Sequence, residues 1–64
     1  MAFSEQLKLA RLAKGLTQQQ VAEKMGISNS TYCGYETGKR QPDVEKIKRL
    51  AAILDTTGDF LLET

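Results

Sequence analysis

Residues Gln18 to Thr37 read QQQVAEKMGISNSTYCGYET, and this stretch decides the fold. Apolar side chains at Val21, Ala22 and Met25, and then at Tyr32 and Tyr35, recur at three- and four-residue steps, the period of a helix with one face buried. Only Gly26-Ile27-Ser28 separates the two runs. A connection that short predicts two helices crossing steeply, because an antiparallel hairpin needs its ends to turn fully back. Ala22 is small where the helices must approach most closely, and Gly26 permits the left-handed backbone that ends the first of them.

Start signals frame both helices. Thr17 stands three residues before Gln20, the spacing of a capping box, and Leu16 can pack on Val21 in the staple position. Ser28 opens the next helix, with Ile27 and Tyr32 in the same staple relation. Outward from this pair, three further helices are expected. One runs from about Ser4, as N-cap, to Lys14; one follows Pro42, capped by Asp43, to Leu54; a short one covers Gly58 to Leu62, capped by Thr57. No stretch alternates apolar and polar residues as a strand would. The predicted core is Leu7, Ala10, Leu16, Val21, Ala22, Met25, Ile27, Tyr32, Tyr35, Ile47, Leu50, Ala51, Leu54 and Leu61.

A chain of 64 residues is one domain near the lower limit for folding alone. It buries about 60% of its unfolded surface, which leaves no deep cleft and favours a binding module over an enzyme. The chain has no His and only Cys33, so neither a metal site nor a disulfide framework is available. Cys33 and the serines have no activating base, which argues against nucleophilic catalysis. No cofactor is expected. No apolar run suggests a membrane span or an export signal, and a cytoplasmic placement follows. The net charge of +1 is unevenly spread: all nine Lys and Arg precede Asp55, whereas Asp55, Asp59 and Glu63 close the chain without a base. That polarity would turn the acidic end away from a phosphate surface.

Arg11, Gly15-Leu16-Thr17-Gln18, Ala22, Gly26-Ile27-Ser28 and Tyr35-Glu36-Thr37-Gly38-Lys39-Arg40 with Pro42, in this order and spacing, carry a resemblance to a known family. The sequence resembles the helix-turn-helix family of phage repressors and Cro-type regulators, the XRE-like, lambda-repressor-like domains, over roughly Leu7 to Leu62. The resemblance implies an all-α, compact five-helix DNA-binding domain over residues 1–64, with the helix-turn-helix unit at about 18–37. It also implies a transcriptional regulator, acting as a repressor, that reads the major groove of an operator with the helix starting near Asn29.

Carried over by position, Asn29, Ser30 and Gly34 would face base edges, Asn29 being able to pair with adenine at two atoms. Gln18, Thr31, Thr37, Lys39 and Arg40 would contact phosphates. Arg11 and Glu36 are implied to form a partly buried ion pair with a structural role. At Gly34, where relatives often carry a longer polar side chain, the readings are close approach of the backbone to DNA or a thymine methyl, or else mere tolerance or steric room for a neighbour. Cys33 reads as a small neutral side chain, with a redox-sensitive thiol as the alternative.

Phe60, Leu61 and Leu62 would form an apolar patch at the C-terminal end, where relatives often dimerise. A homodimer on DNA is therefore expected. Two other readings compete with the regulator. The same patch would serve an antitoxin-like module that binds a protein partner, a toxin or an effector domain. The chain would otherwise be the DNA-binding domain of a longer regulator.

Overall fold

The computed structural model describes residues 2–62. The elements are α1 (Phe3–Lys14), α2 (Gln18–Met25), α3 (Asn29–Thr37), α4 (Val44–Ile53) and α5 (Gly58–Leu62), and no strand occurs among the described residues. Side-chain caps fix where four of them begin. Thr17 Oγ1 accepts from the Gln20 N–H at 3.1 Å while Gln20 Oε1 accepts from the Thr17 N–H at 2.8 Å, closing the box that starts α2. Ser28 Oγ takes the Thr31 N–H at 3.1 Å, Asp43 Oδ1 the Lys46 N–H at 2.9 Å, and Thr57 Oγ1 the Phe60 N–H at 3.0 Å.

The start of α1 differs from expectation. Ser4 lies inside the helix and Ala2 holds the cap position, with no side-chain acceptor. Phe3 explains the shift, because it is half-buried against the core and draws the first turn inward two residues early. Helix α2 ends at Gly26, whose φ of 72° is left-handed, and this lets the Ile27 N–H turn back to the Ala22 carbonyl at 3.1 Å. The chain can then enter α3 after two residues.

Each helix contributes one of the five largest fully buried side chains: Leu7, Val21, Tyr32, Leu50 and Leu61. Around them close Ala10, Ala22, Met25, Tyr35, Ile47, Ala51 and Leu54, while Leu16, Ile27, Phe3 and Ile53 pack against this core half-buried. Helix α3 rests on α1 and α2, and α5 bridges α1 and α4. Two polar ties sit at the seams: Gln6 Nε2 donates to the Phe60 carbonyl at 3.1 Å, and Arg49 Nη2 donates to the Met25 carbonyl at 3.3 Å.

Helix α3 owes little to local preference. Of its nine residues, NSTYCGYET, only Glu36 ranks among the strong helix formers. Burial of Tyr32 and Tyr35, whose rings meet edge to face with centroids 6.2 Å apart, supplies what propensity does not. No helix among the described residues is long and apolar enough to cross a membrane.

Candidate nucleic-acid interface

The site begins with a charge at the end of α3. Arg11 Nε lies 2.6 Å from Glu36 Oε2, and the two side chains are 10% and 3% exposed. Arg11 Nη2 donates to Glu36 Oε1 at 3.3 Å and Nη1 donates to the Leu16 carbonyl at 2.8 Å, so one guanidinium joins α1, the α1–α2 turn and α3. The Tyr32 hydroxyl donates to Glu36 Oε2, and Gln18 Nε2 donates to Oε1 at 3.0 Å. Burial alone would raise the Glu36 carboxyl, but hydrogen bonds from Arg11, Tyr32 and Gln18 outweigh it and hold the group below its ordinary range. The hydrogen bond to Glu36 raises the Arg11 guanidinium in turn. Burial, followed by the same carboxylate, keeps the Tyr32 phenol protonated far above its usual range.

This cluster reaches the surface through Gln18. Its amide nitrogen is held by Glu36, and its Oε1 accepts from Cys33 Sγ at 3.5 Å. A primary amide carries two hydrogens, so one remains to be given outward. The backbone N–H groups of Gln18 and Gln19, in the first turn of α2, have no partner within the helix. Both residues line a recess with Thr17 and Asn29 at the start of α3. Gln19 had drawn no attention in the sequence. Its place in the first turn, two residues after the cap, was the available signal.

On α3 itself Asn29 and Ser30 are exposed, while the Thr31 hydroxyl is occupied 2.8 Å from Ser28 Oγ. Thr37 Oγ1 donates to the Gly34 carbonyl at 3.3 Å. A shallow trough joins Asn29, Ser30, Cys33 and Gly34 to Thr37, Lys39 and Arg40. Six of the eight expected DNA-facing positions thus share one trough; Gln18 lines the neighbouring recess, and Thr31 lies at the α2–α3 junction.

Two expectations need correction. Gly34 is not open backbone: it is buried, and a Cβ there would lie 2.9 Å from Arg40 Cδ. Of the readings weighed for Gly34, steric room for a neighbour describes the structure. In the apolar patch, Leu61 is 0% exposed and belongs to the core, because α5 must turn one residue inward to close the domain. Phe60 and Leu62 remain exposed, and Leu9 of α1 lies beside Phe60 along a neighbouring groove.

A helix-turn-helix family model matches residues 7–61. The chain belongs to the helix-turn-helix family of phage repressors and Cro-type regulators. It is 46% identical over 61 residues to the HTH-type transcriptional regulator YqaE of Bacillus subtilis (strain 168), covering 95% of this chain and 53% of that one. Thus the chain spans about half the length of the curated relatives it matches. The restriction-modification controller protein C.AhdI from Aeromonas hydrophila superposes with a TM-score of 0.86 at 35% identity, over 94% of this chain and 91% of that one. The P22 c2 repressor, solved with a synthetic operator, superposes with a TM-score of 0.89 at 22% identity, over 98% of this chain and 96% of that one, and shows the shared fold.

Proposed function

We propose that this helix-turn-helix chain binds double-stranded DNA sequence-specifically and regulates transcription by occupying an operator, as a repressor in the cytoplasm. One observation carries this reading: the outer face of α3 keeps Asn29 and Ser30 exposed, while Glu36 locks the other end of the helix to α1 and α2. A rigid element with unspent donors and acceptors on one face is what reading base edges requires.

Asn29 and Ser30 contact bases in this proposal. Gln18 gives its second amide hydrogen to a phosphate, aided by the unpaired N–H groups that begin α2. Thr37 and Lys39 in the trough, and Thr31 at the start of α3, grip the backbone, and Arg40 adds its charge to the face of the trough. Gly34 takes no direct part, since the Arg40 stem covers it. Arg11 and Glu36 hold the frame together.

Phe60 and Leu62, with Leu9 nearby, form the patch through which a second copy binds on DNA, setting two α3 helices ~34 Å apart on successive turns of the duplex. The same exposed patch is the specific reason to keep a protein partner as the second reading, whether a toxin or the rest of a longer regulator.

Selection from a random duplex library near physiological salt tests the proposal. It expects a two-fold-symmetric site bound on the order of 10³ or more tighter than random DNA. Weak binding without preference would overturn it and leave the protein-binding reading.

A further inference from the structure

Gly34 has no side chain of its own on the exposed side of α3, yet it is buried. A Cβ built on it would stand 2.9 Å from Cδ, 3.0 Å from Cγ and 3.3 Å from Cβ of Arg40. The stem of Arg40 therefore runs across the Gly34 Cα, in a notch that any larger residue would fill. The backbone fixes the same contact, because the Arg40 N–H donates to the Gly34 carbonyl at 3.1 Å. Position 34 lies one helical turn beyond Ser30 and shares its face. Arg40 thus fills, from outside the helix, the place that a side chain at position 34 would occupy, and it makes no ion pair among the described residues.

We infer that Arg40 reads a base edge in the major groove across the notch left by Gly34, with guanine O6 and N7 as its target. The inference rests on α3 entering the groove as proposed above. A guanidinium matches that pair of acceptors with two parallel N–H donors, and an ammonium does not. A stem already laid along α3 also has less rotamer freedom to lose when its head is fixed, which favours a directed contact over a loose one. Lys39 is the contrasting neighbour, an exposed point charge suited to a phosphate.

Wild type, Arg40→Lys, Arg40→Ala and Gly34→Ala would each be titrated against the selected site and its single-base variants, at two salt concentrations. Gly34 is not among the glycines with positive φ, and the atoms a new Cβ meets first belong to a flexible side chain. Gly34→Ala should therefore fold while pushing the Arg40 stem aside, and a thermal melt confirms folding for every variant. Wild type is expected to prefer guanine at one position of each half-site by about ten-fold or more. Arg40→Lys should lose that preference while keeping the salt slope, and Gly34→Ala should lose it with every charge intact. Arg40→Ala should lose the preference too, with the slope changed by less than the roughly one unit expected of a phosphate contact.

Lysine rescue at every base pair would overturn the inference and return Arg40 to the phosphates. Full discrimination by Gly34→Ala would overturn it as well. A wild-type protein with no preferred site would remove the groove-reading proposal itself, a failure visible before any variant is compared.

Discussion

Replacing Glu36 by Gln keeps the size and shape of the side chain and removes its charge. In the native structure this carboxylate accepts from Arg11 twice, from Tyr32 and from Gln18, and its side chain is 3% exposed. The variant leaves the Arg11 guanidinium, itself 10% exposed, without a counter-charge. Breaking a buried pair from one side costs about 3–5 kcal/mol. A chain of this length has only about 3–10 kcal/mol of stability in total. At ~4–8 °C per kcal/mol, a 3 kcal/mol loss lowers Tm by about 12–24 °C.

Acid titration isolates the charge from the shape. The folded-state pKa of Glu36 lies below the ordinary 4.5, so its contribution is complete above that value and drains away as pH falls through the lower folded value. Wild type should therefore lose more stability than Glu36→Gln between pH 5 and strongly acidic solution, both followed by circular dichroism in urea. The reasoning would be refuted by Glu36→Gln melting within about 2 °C of wild type at neutral pH, a shift too small for the loss of a buried counter-charge. Acid limbs that run parallel for the two proteins would refute it equally.

Three further outcomes are expected. Asn29→Ala should cost ~1–3 kcal/mol on the selected site and relax preference at one base pair, whereas Lys39→Ala should weaken all sequences alike and flatten the salt slope by about one unit, both measured by titration. Leu61→Ala should cost about 2–5 kcal/mol in urea unfolding, and Leu62→Ala, at an exposed position, should change it by less than about 0.5 kcal/mol. Thr17→Ala should lose roughly 0.5–2 kcal/mol as a true cap, while Ser4→Ala, already inside α1, should leave the melt nearly unmoved.

Much of the architecture was legible because its signals are local. A cap, its partner three residues on and a glycine at the exit are written within one or two helical turns, and Thr17, Gln20 and Gly26 could be read as a unit. Core faces followed from spacing within α1 to α4. Where spacing has too few turns to work with, the reading slipped. Phe60-Leu61-Leu62 is an apolar triplet on a five-residue helix, and Leu61 was expected both in the core and in the outer patch; only its place in the core holds. Ser4 looked like a cap on chemistry alone, but the packing of Phe3 decided the start of α1.

The site was legible to the same depth. Asn29 and Ser30 could be placed on the outer side of α3 from helical register. That the Gln18 amide is held by Glu36 depends on two side chains 18 positions apart meeting across a helix crossing, which no local pattern encodes. Gly34 is the clearest case. Its meaning lies in the stem of Arg40, which returns to it only after the chain has turned through Gly38.

The weak intrinsic helicity of α3 bears on how occupancy responds to damage elsewhere. A nine-residue segment with a single strong helix former would not stay ordered once Tyr32 and Tyr35 left their sockets. The reading surface therefore has no partly working form: it exists when the whole five-helix unit exists and vanishes with it. A lesion at Leu50, on a different helix and outside the trough, would reduce the number of competent molecules while leaving each survivor's base preference intact. In a population of molecules, such a lesion would look like a lower dose of an unaltered protein.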